Sequence, residues 1–357
     1  MKVLQLIDTL NAGGAERVAL NYANELSQHL DGSFLCATRQ EGSLKKQLKP
    51  EVGYLFLRKK SAIDLAAVIR LARYVKKYQI GVIHAHGTSF MTAVLCKFFV
   101  RNLKIVWHDH YGKSEELENR PVFILKIVAV FINLIVVVNP LLKSWCKTKL
   151  KFKKVIYLAN FSVLDTSIPA TTVLYGTDEK RIVCLANFRH QKNHLFLISV
   201  FEELLKEFPE WTLHLAGKNF QDEYFQQIQQ YIDANHLQKN VFIYDSRDDI
   251  HHILSQSDVG VLVSKSEGFP LALLEYGLAG LPVVVTNVGE CAGILGNPPQ
   301  GLLIESGNAE QLKASLSLLL SDKKEASRLG EGLKKHVQTA FSVEKVIEKL
   351  LICYGEL

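Results

Sequence analysis

Short, unbroken apolar runs recur along the chain, and each is followed by a longer stretch with apolar residues at helical spacing. The runs fall near residues 2–8, 34–38, 53–57, 81–84, 103–107, 134–138 and 154–158, then near 181–187, 211–216, 241–244, 259–263, 283–285 and 301–304. Val283-Val284-Val285 shows no polar alternation, as expected of a strand covered on both faces of a parallel sheet. The stretches between predict helices over 15–30, 62–78, 88–100, 121–131, 194–207, 222–235, 247–256, 270–279, 308–321, 323–339 and 341–354. Strand and crossover helix in regular alternation is the pattern of a doubly wound α/β fold. No tandem repeat or low-complexity tract interrupts it.

At 357 residues the chain exceeds what one core usually serves, so two domains are expected. We place them at 1–165 and 166–340, joined through a Ser/Thr-rich stretch of low order over 162–177, with a closing helix in 341–357. Residues 121–139 are the most apolar window. Lys126 and Asn133 interrupt it, which argues against a membrane span and for a buried helix followed by a core strand.

Composition adds compartment and charge. The six cysteines are scattered with no C-x-x-C pair and no signal peptide precedes the first strand, so reduced thiols in a cytoplasm are expected. The net charge of +6 conceals an asymmetry: residues 1–165 hold 25 Lys and Arg against 12 Asp and Glu, while the remainder holds 17 against 24. A basic first half suits an anionic partner. With no nucleic-acid-binding motif in view, an anionic membrane surface or a phosphorylated acceptor is favoured over nucleic acid. Lys143, Lys147, Lys149, Lys151, Lys153 and Lys154, interleaved with Trp145 and Phe152, would meet headgroups while the aromatics dip in. Phe90, Met91, Phe98 and Phe99 on the 88–100 helix would extend that face, and core packing explains them equally well.

Candidate chemistry concentrates in residues 264–290. Gly268, Phe269, Pro270 and Leu271 lead from a strand into a short helix stopped by Gly280, and two carboxylates, Glu267 and Glu275, stand in otherwise apolar surroundings. At the carboxyl end of a parallel strand, amides at the helix start would seat a phosphate, and the carboxylates would accept hydrogen bonds from sugar or ribose hydroxyls. Gly13 and Gly14 form a second strand–glycine–helix turn without the features of a Walker or dinucleotide loop. Arg189 and Lys192 bring cations to a third helix start, beside Asn187. His84, His86, His108 and His110 with Asp109 lie at neighbouring strand ends, but nothing fixes a closed ligand set, and no metal is expected.

The sequence Glu267-Gly-Phe-Pro-x4-Glu275, followed by Gly280-x-Pro282-Val-Val, resembles the E-x7-E signature of retaining GT-B glycosyltransferases of family 4. Gly13-Gly14-Ala15-Glu16-Arg17 is similar to the family's GGAER loop, and Lys192-Asn193 to the end of its G-R-x4-K-N clamp, with Asn187 where arginine is usual and Arg189 two residues on. The resemblance covers nearly the whole chain. It implies two doubly wound parallel-sheet domains facing a central cleft, an N-terminal acceptor-binding domain, a C-terminal nucleotide-sugar-binding domain, and a last helix returning to the first. It implies metal-independent retaining transfer from a UDP- or GDP-sugar, with no cofactor, to a saccharide or lipid-linked acceptor in bacterial surface polysaccharide synthesis. Glu267 would contact the donor sugar and Glu275 the ribose. Lys192, Arg189 and the amides at Gly14 and residues 268–271 would meet the diphosphate, and the turn at Tyr244 the nucleoside. His110 would orient sugar or acceptor, with His108 as alternative and His86 nearby. Two other readings are a nucleotide-sugar epimerase and a non-catalytic nucleotide-sugar-binding subunit.

Overall fold

The computed structural model describes residues 1–357 except for the side chains of Ser114 and Glu115. Two compact units are present, Met1–Phe161 with Val343–Leu357, and Ser162–Ser342.

In the first unit, β1 (Lys2–Thr9), β2 (Gly32–Gln40), β3 (Gly53–Phe56), β4 (Val82–His86), β5 (Lys104–Asp109), β6 (Leu134–Val137) and β7 (Val155–Tyr157) form a sheet in the order β3-β2-β1-β4-β5-β6-β7. Every neighbouring pair is parallel. Helices α1 (Gly14–Leu26), α2 (Leu65–Tyr78), α3 (Phe90–Lys97), α4 (Phe123–Ala129) and α5 (Pro140–Thr148) intervene. The second unit repeats the plan with β8 (Arg181–Leu185), β9 (Thr212–Ala216), β10 (Val241–Tyr244), β11 (Val259–Leu262), β12 (Val283–Thr286) and β13 (Leu302–Ile304), in the order β10-β9-β8-β11-β12-β13. Its helices are α6 (His194–Leu204), α7 (Glu223–Ala234), α8 (Ile250–Ser255), α9 (Leu271–Ala279), α10 (Cys291–Leu295), α11 (Ala309–Ser321) and α12 (Lys323–Ala340). The chain then returns to the first unit as α13 (Val343–Gly355).

The apolar runs of the sequence are the strands. Val3, Leu4, Leu6, Val259, Val261, Val283, Val284 and Val285 are all buried, because helices cover both faces of a parallel sheet. Strand order reverses between β1 and β4 in one unit and between β8 and β11 in the other, and ligands of open α/β sheets bind at the carboxyl ends of strands at such points.

Four expectations are corrected. The apolar window after residue 121 does not make a buried helix. In α4 only the side of Val128 and Ala129 packs inward, while Phe123 is 77% exposed, Ile124 58%, Ile127 53% and Val130 77%. Trp145 is buried, not free to dip into a membrane, and its Nε1 donates to the Leu117 carbonyl at 3.1 Å. The stretch 162–177 is without regular structure but is tied down. The amides and hydroxyls of Thr171 and Thr172 donate to Asp249 at 2.7–3.1 Å. Burial alone would raise that carboxyl, but these bonds outweigh it and hold its pKa at about 2. Finally, α2 begins at Leu65 rather than 62, because Asp64 caps it by accepting from the Ala67 amide.

Candidate functional site

In the second unit the switch point carries an ion pair between a half-buried lysine and a buried carboxylate. Beyond β8 the chain turns through Asn187 and a short 3-10 turn, His190–Lys192, and beyond β11 through Ser264 to Pro270 into α9. The two loops are stitched together: the Lys265 amide donates to the Gln191 carbonyl at 2.8 Å, and Gln191 Nε2 to the Ser266 carbonyl at 2.5 Å. Across that seam Lys192 Nζ donates to Glu267 Oε1 at 2.5 Å, and Ser264 Oγ donates to the same oxygen at 2.6 Å. Glu267 is buried, and a buried carboxylate needs such partners to keep its charge.

Packing fixes the approach of α9. Tyr276 passes under β11, where Gly260 has no Cβ to strike its ring, and its hydroxyl accepts from the Leu185 amide at 2.7 Å. Gly289 lies over the Glu267 carbonyl, with φ +54°, and a Cβ there would come within 2.2 Å of that oxygen. Gly268, Phe269, Pro270 and Leu271 therefore lead into a helix start of fixed position, with Pro270 extended at the N-cap and no side chain capping it. Glu275 is buried one turn further on and accepts from Ser162 Oγ at 3.3 Å.

The side chains of the other second-unit residues have partners outside the ion pair. Asn187 is committed to the backbone, its Oδ1 accepting from the Lys218 amide at 2.9 Å. Arg189 is exposed, with its guanidinium over the Phe220 ring at 5.0 Å. Tyr244 ends the edge strand β10, two strands from β8, and its hydroxyl turns inward to His214 Nδ1 at 3.1 Å.

In the first unit Gly13 is the extended N-cap of α1, where a Cβ would lie 2.4 Å from Glu16 Oε2, and Gly14 is exposed with open space about it. The parallel register places Gln5 beside His84 and His86 beside His108. His84, His86 and His108 are fully buried and His110 half-buried. Burial pulls His84 and His110 down to about 3, and the same cause, with the neighbouring imidazoles, holds His86 and His108 well below the usual range. All four are neutral near pH 7.

The ligand atoms of His84, His86 and His108 lie within 4.8 Å of one another. The rings of His84 and His86 are only 5° from parallel with centroids 4.7 Å apart, too close to lie side by side in one plane. Imidazole lone pairs lie in the ring plane, so these two point into separate planes and do not converge on one ion as a tetrahedral site needs. Asp109 is not part of the group. It takes both guanidinium nitrogens of Arg120 at 2.6 and 3.0 Å, and Arg120 is stacked over Tyr111 and Trp145 at 4.3 and 4.6 Å.

Sequence reasoning missed the roles of Ser264, Tyr276 and Gly289 around Glu267, and of Gln5 and Tyr354 against the histidines. Ser264 carried a signal, standing three residues before Glu267 at the end of an apolar strand. Gln5 carried another, as a polar residue inside the apolar run of β1.

The family model described as Glycosyltransferase Family 4 matches residues 12–159, and that described as Glycosyl transferases group 1 matches residues 173–336. An uncharacterized glycosyltransferase of Haemophilus influenzae is 24% identical over 347 residues, covering 95% of each chain. The Escherichia coli UDP-Gal:alpha-D-GlcNAc-diphosphoundecaprenol alpha-1,3-galactosyltransferase is 24% identical, covering 99% of this chain and 96% of that protein. In fold the chain is similar to Anabaena HepE, whose crystal structure is a complex with UDP and glucose, with TM-score 0.83, 16% identity and complete coverage of both chains.

Proposed function

Because the chain belongs to the GT-B glycosyltransferases, we propose that it moves a sugar from a nucleotide-diphosphate donor to a hydroxyl of a saccharide or lipid-linked acceptor, with retention of configuration and without a metal. The observation that carries this reading is the Lys192–Glu267 pair at the carboxyl ends of β8 and β11, beside the start of α9. The bond that breaks joins the anomeric carbon to the diphosphate, so negative charge grows on the departing phosphate. A half-buried lysine already fixed by its partner, with helix-start amides, stabilises that charge with little reorganisation. Glu267 accepts from donor sugar hydroxyls, and Glu275 from the ribose. Arg189 and the Gly13–Gly14 turn are further diphosphate contacts in this reading, Asn187 and the Tyr244 turn further donor contacts, and His110, backed by His86 and His108, contacts a hydroxyl of sugar or acceptor. Relatives that act on diphosphoundecaprenol-linked sugars support a lipid-linked acceptor and a role in surface polysaccharide assembly.

A lipid-linked acceptor calls for a membrane surface, and the first unit has a suitable face. The exposed side of α4 adjoins the end of α3, where the Phe98 and Phe131 rings are 5.2 Å apart and Phe98 is 64% exposed. Lys126, Arg101, Lys147, Lys149, Lys151, Lys153 and Lys154 are exposed on the same unit. Among the described residues no helix is long and apolar enough to cross a membrane. We assign peripheral attachment to the cytoplasmic side of the membrane through α4 and these cations.

The test is incubation with UDP- and GDP-sugars and a polyprenyl-diphosphate-linked sugar, with NMR of the product linkage. Free nucleotide with an axial-to-axial or equatorial-to-equatorial product bears out the reading. An inverted linkage removes retention, and an epimerised nucleotide sugar without glycoside replaces transfer by epimerisation.

A further inference from the structure

The buried histidines of the first unit are joined to β1 and α13 by a continuous set of short polar contacts. Tyr354 Oη lies 2.5 Å from His84 Nδ1, and Gln5 Nε2 donates to Tyr354 Oη at 3.3 Å. Gln5 Oε1 lies 2.8 Å from His86 Nε2, and His86 Nδ1 lies 2.9 Å from His110 Nε2. The His86 and His110 rings are 13° from parallel with centroids 5.2 Å apart. That separation is what two rings in line through a 2.9 Å nitrogen–nitrogen contact require, so the bond lies in both ring planes.

Each contact fixes the next proton. A carbonyl oxygen only accepts, so Gln5 Oε1 places the His86 proton on Nε2. The neutral ring then has a bare Nδ1, and a hydrogen bond there requires that His110 carry its proton on Nε2. His110 is left with a bare Nδ1, directed away from His86 by the geometry of the ring. The direction rests on one amide. If Gln5 were turned over, its NH2 would face His86 and every proton down to His110 would change sides. With the amide as it stands, Tyr354 accepts from Gln5 Nε2, which leaves the tyrosine's own proton for His84 Nδ1.

We propose that Gln5, held by Tyr354, is a positioning residue that acts through His86 to fix His110 as the Nε2–H tautomer, so that His110 Nδ1 receives a hydrogen bond from a substrate hydroxyl. The part that concerns substrate rests on the glycosyl-transfer reading above, whereas the tautomer belongs to the free protein. The low histidine pKa values agree with the arrangement, because a protonated ring would have no tautomer to set. A bare nitrogen at this position selects a donor. It holds a hydroxyl in one orientation and repels a phosphate or carbonyl oxygen.

The experiment is long-range proton–nitrogen correlation NMR of the full chain labelled with 15N-histidine, with His110 assigned by loss of its signals in His110→Gln. The native protein is expected to show His110 as Nε2–H. In Gln5→Leu, close in volume, the order is released and the Nδ1–H form of His110 appears; Tyr354→Phe, which lets the amide turn over, gives a mixture as well. Gln5→Leu is expected to lower kcat about tenfold, the worth of one hydrogen bond, and to leave UDP affinity unchanged. In a His110→Ala background the same change costs nothing further, because its effect passes through His110. A native His110 in the Nδ1–H form, or a tautomer indifferent to Gln5→Leu, overturns the proposal. So does a Gln5→Leu loss that persists in full without His110. If the tautomers behave as expected while His110→Ala transfers sugar normally, the tautomer assignment stands and the substrate contact falls.

Discussion

Glu267 and Lys192 hold each other in place, so removing either changes two groups at once. Glu267→Gln keeps size and a hydrogen-bonding oxygen but deletes the charge that Lys192 faces. We expect transfer to be nearly abolished and nucleotide affinity, measured calorimetrically with UDP or GDP, to be largely kept. Unchanged turnover would remove Glu267 from the reaction. Lys192→Ala should act chiefly on kcat, because the diphosphate carries more charge as it leaves than when bound. A loss of ~2.7–4 kcal/mol of transition-state stabilisation is expected for one preorganised donor. A comparable loss of donor affinity instead would make the lysine a ground-state anchor. Arg189→Ala, made alongside, reports whether a cation resting over Phe220 contributes at all.

At the scale of elements, what the sequence made visible and what it hid have different causes. The strands were legible because burial on both faces forbids polar alternation. The β11–α9 block was legible because Pro270 and Gly280 each serve one backbone need, the N-cap and the left-handed C-cap of α9. Helix α4 was misread because an apolar run carries no sign of whether protein or something else covers it. Trp145 was misread because a basic neighbourhood said nothing of Arg120, which stacks on it from a different loop. Gln5 and Tyr354 are separated by 349 residues, so no local spacing pointed to their contact.

The corrected picture of α4 alters the expectation for membranes. Lysines alone would give attachment that high salt removes, each worth about 1 kcal/mol within a Debye length of ~8 Å. With Phe123 and Ile127 outward, we expect sedimentation with anionic vesicles that weakens but survives in high salt. Phe123→Ser with Ile127→Ser should make it fully salt-sensitive. Equal binding by this double variant would show that α4 does not touch the bilayer.

The whole molecule carries its buried histidines as a sensitivity to acid. His84, His86 and His108 have folded pKa values depressed below the ~6.5 of the unfolded chain. Below pH 6.5 the unfolded chain binds protons that the folded one refuses, so the stability they contribute is present above pH 6.5 and lost as pH falls below it, for His84 down to about 3. Each should cost about 1.4 kcal/mol per pH unit in that window. Denaturant unfolding from pH 7 to 5 checks it, with His108→Phe expected to lower the slope by one proton's worth. A slope unchanged by that substitution would mean that His108 takes up its proton in the folded state.

The second unit is contiguous, while the first is assembled from residues 1–161 and 343–357. During synthesis the second unit is therefore complete while its neighbour still waits. Until α13 emerges, Gln5 and His84 lack the hydroxyl of Tyr354, and Val346, Ile347 and Leu350 have yet to cover their part of the core. The unit begun first is the one finished last, so translation order itself leaves the histidine cluster without its last partner until the second unit is already complete.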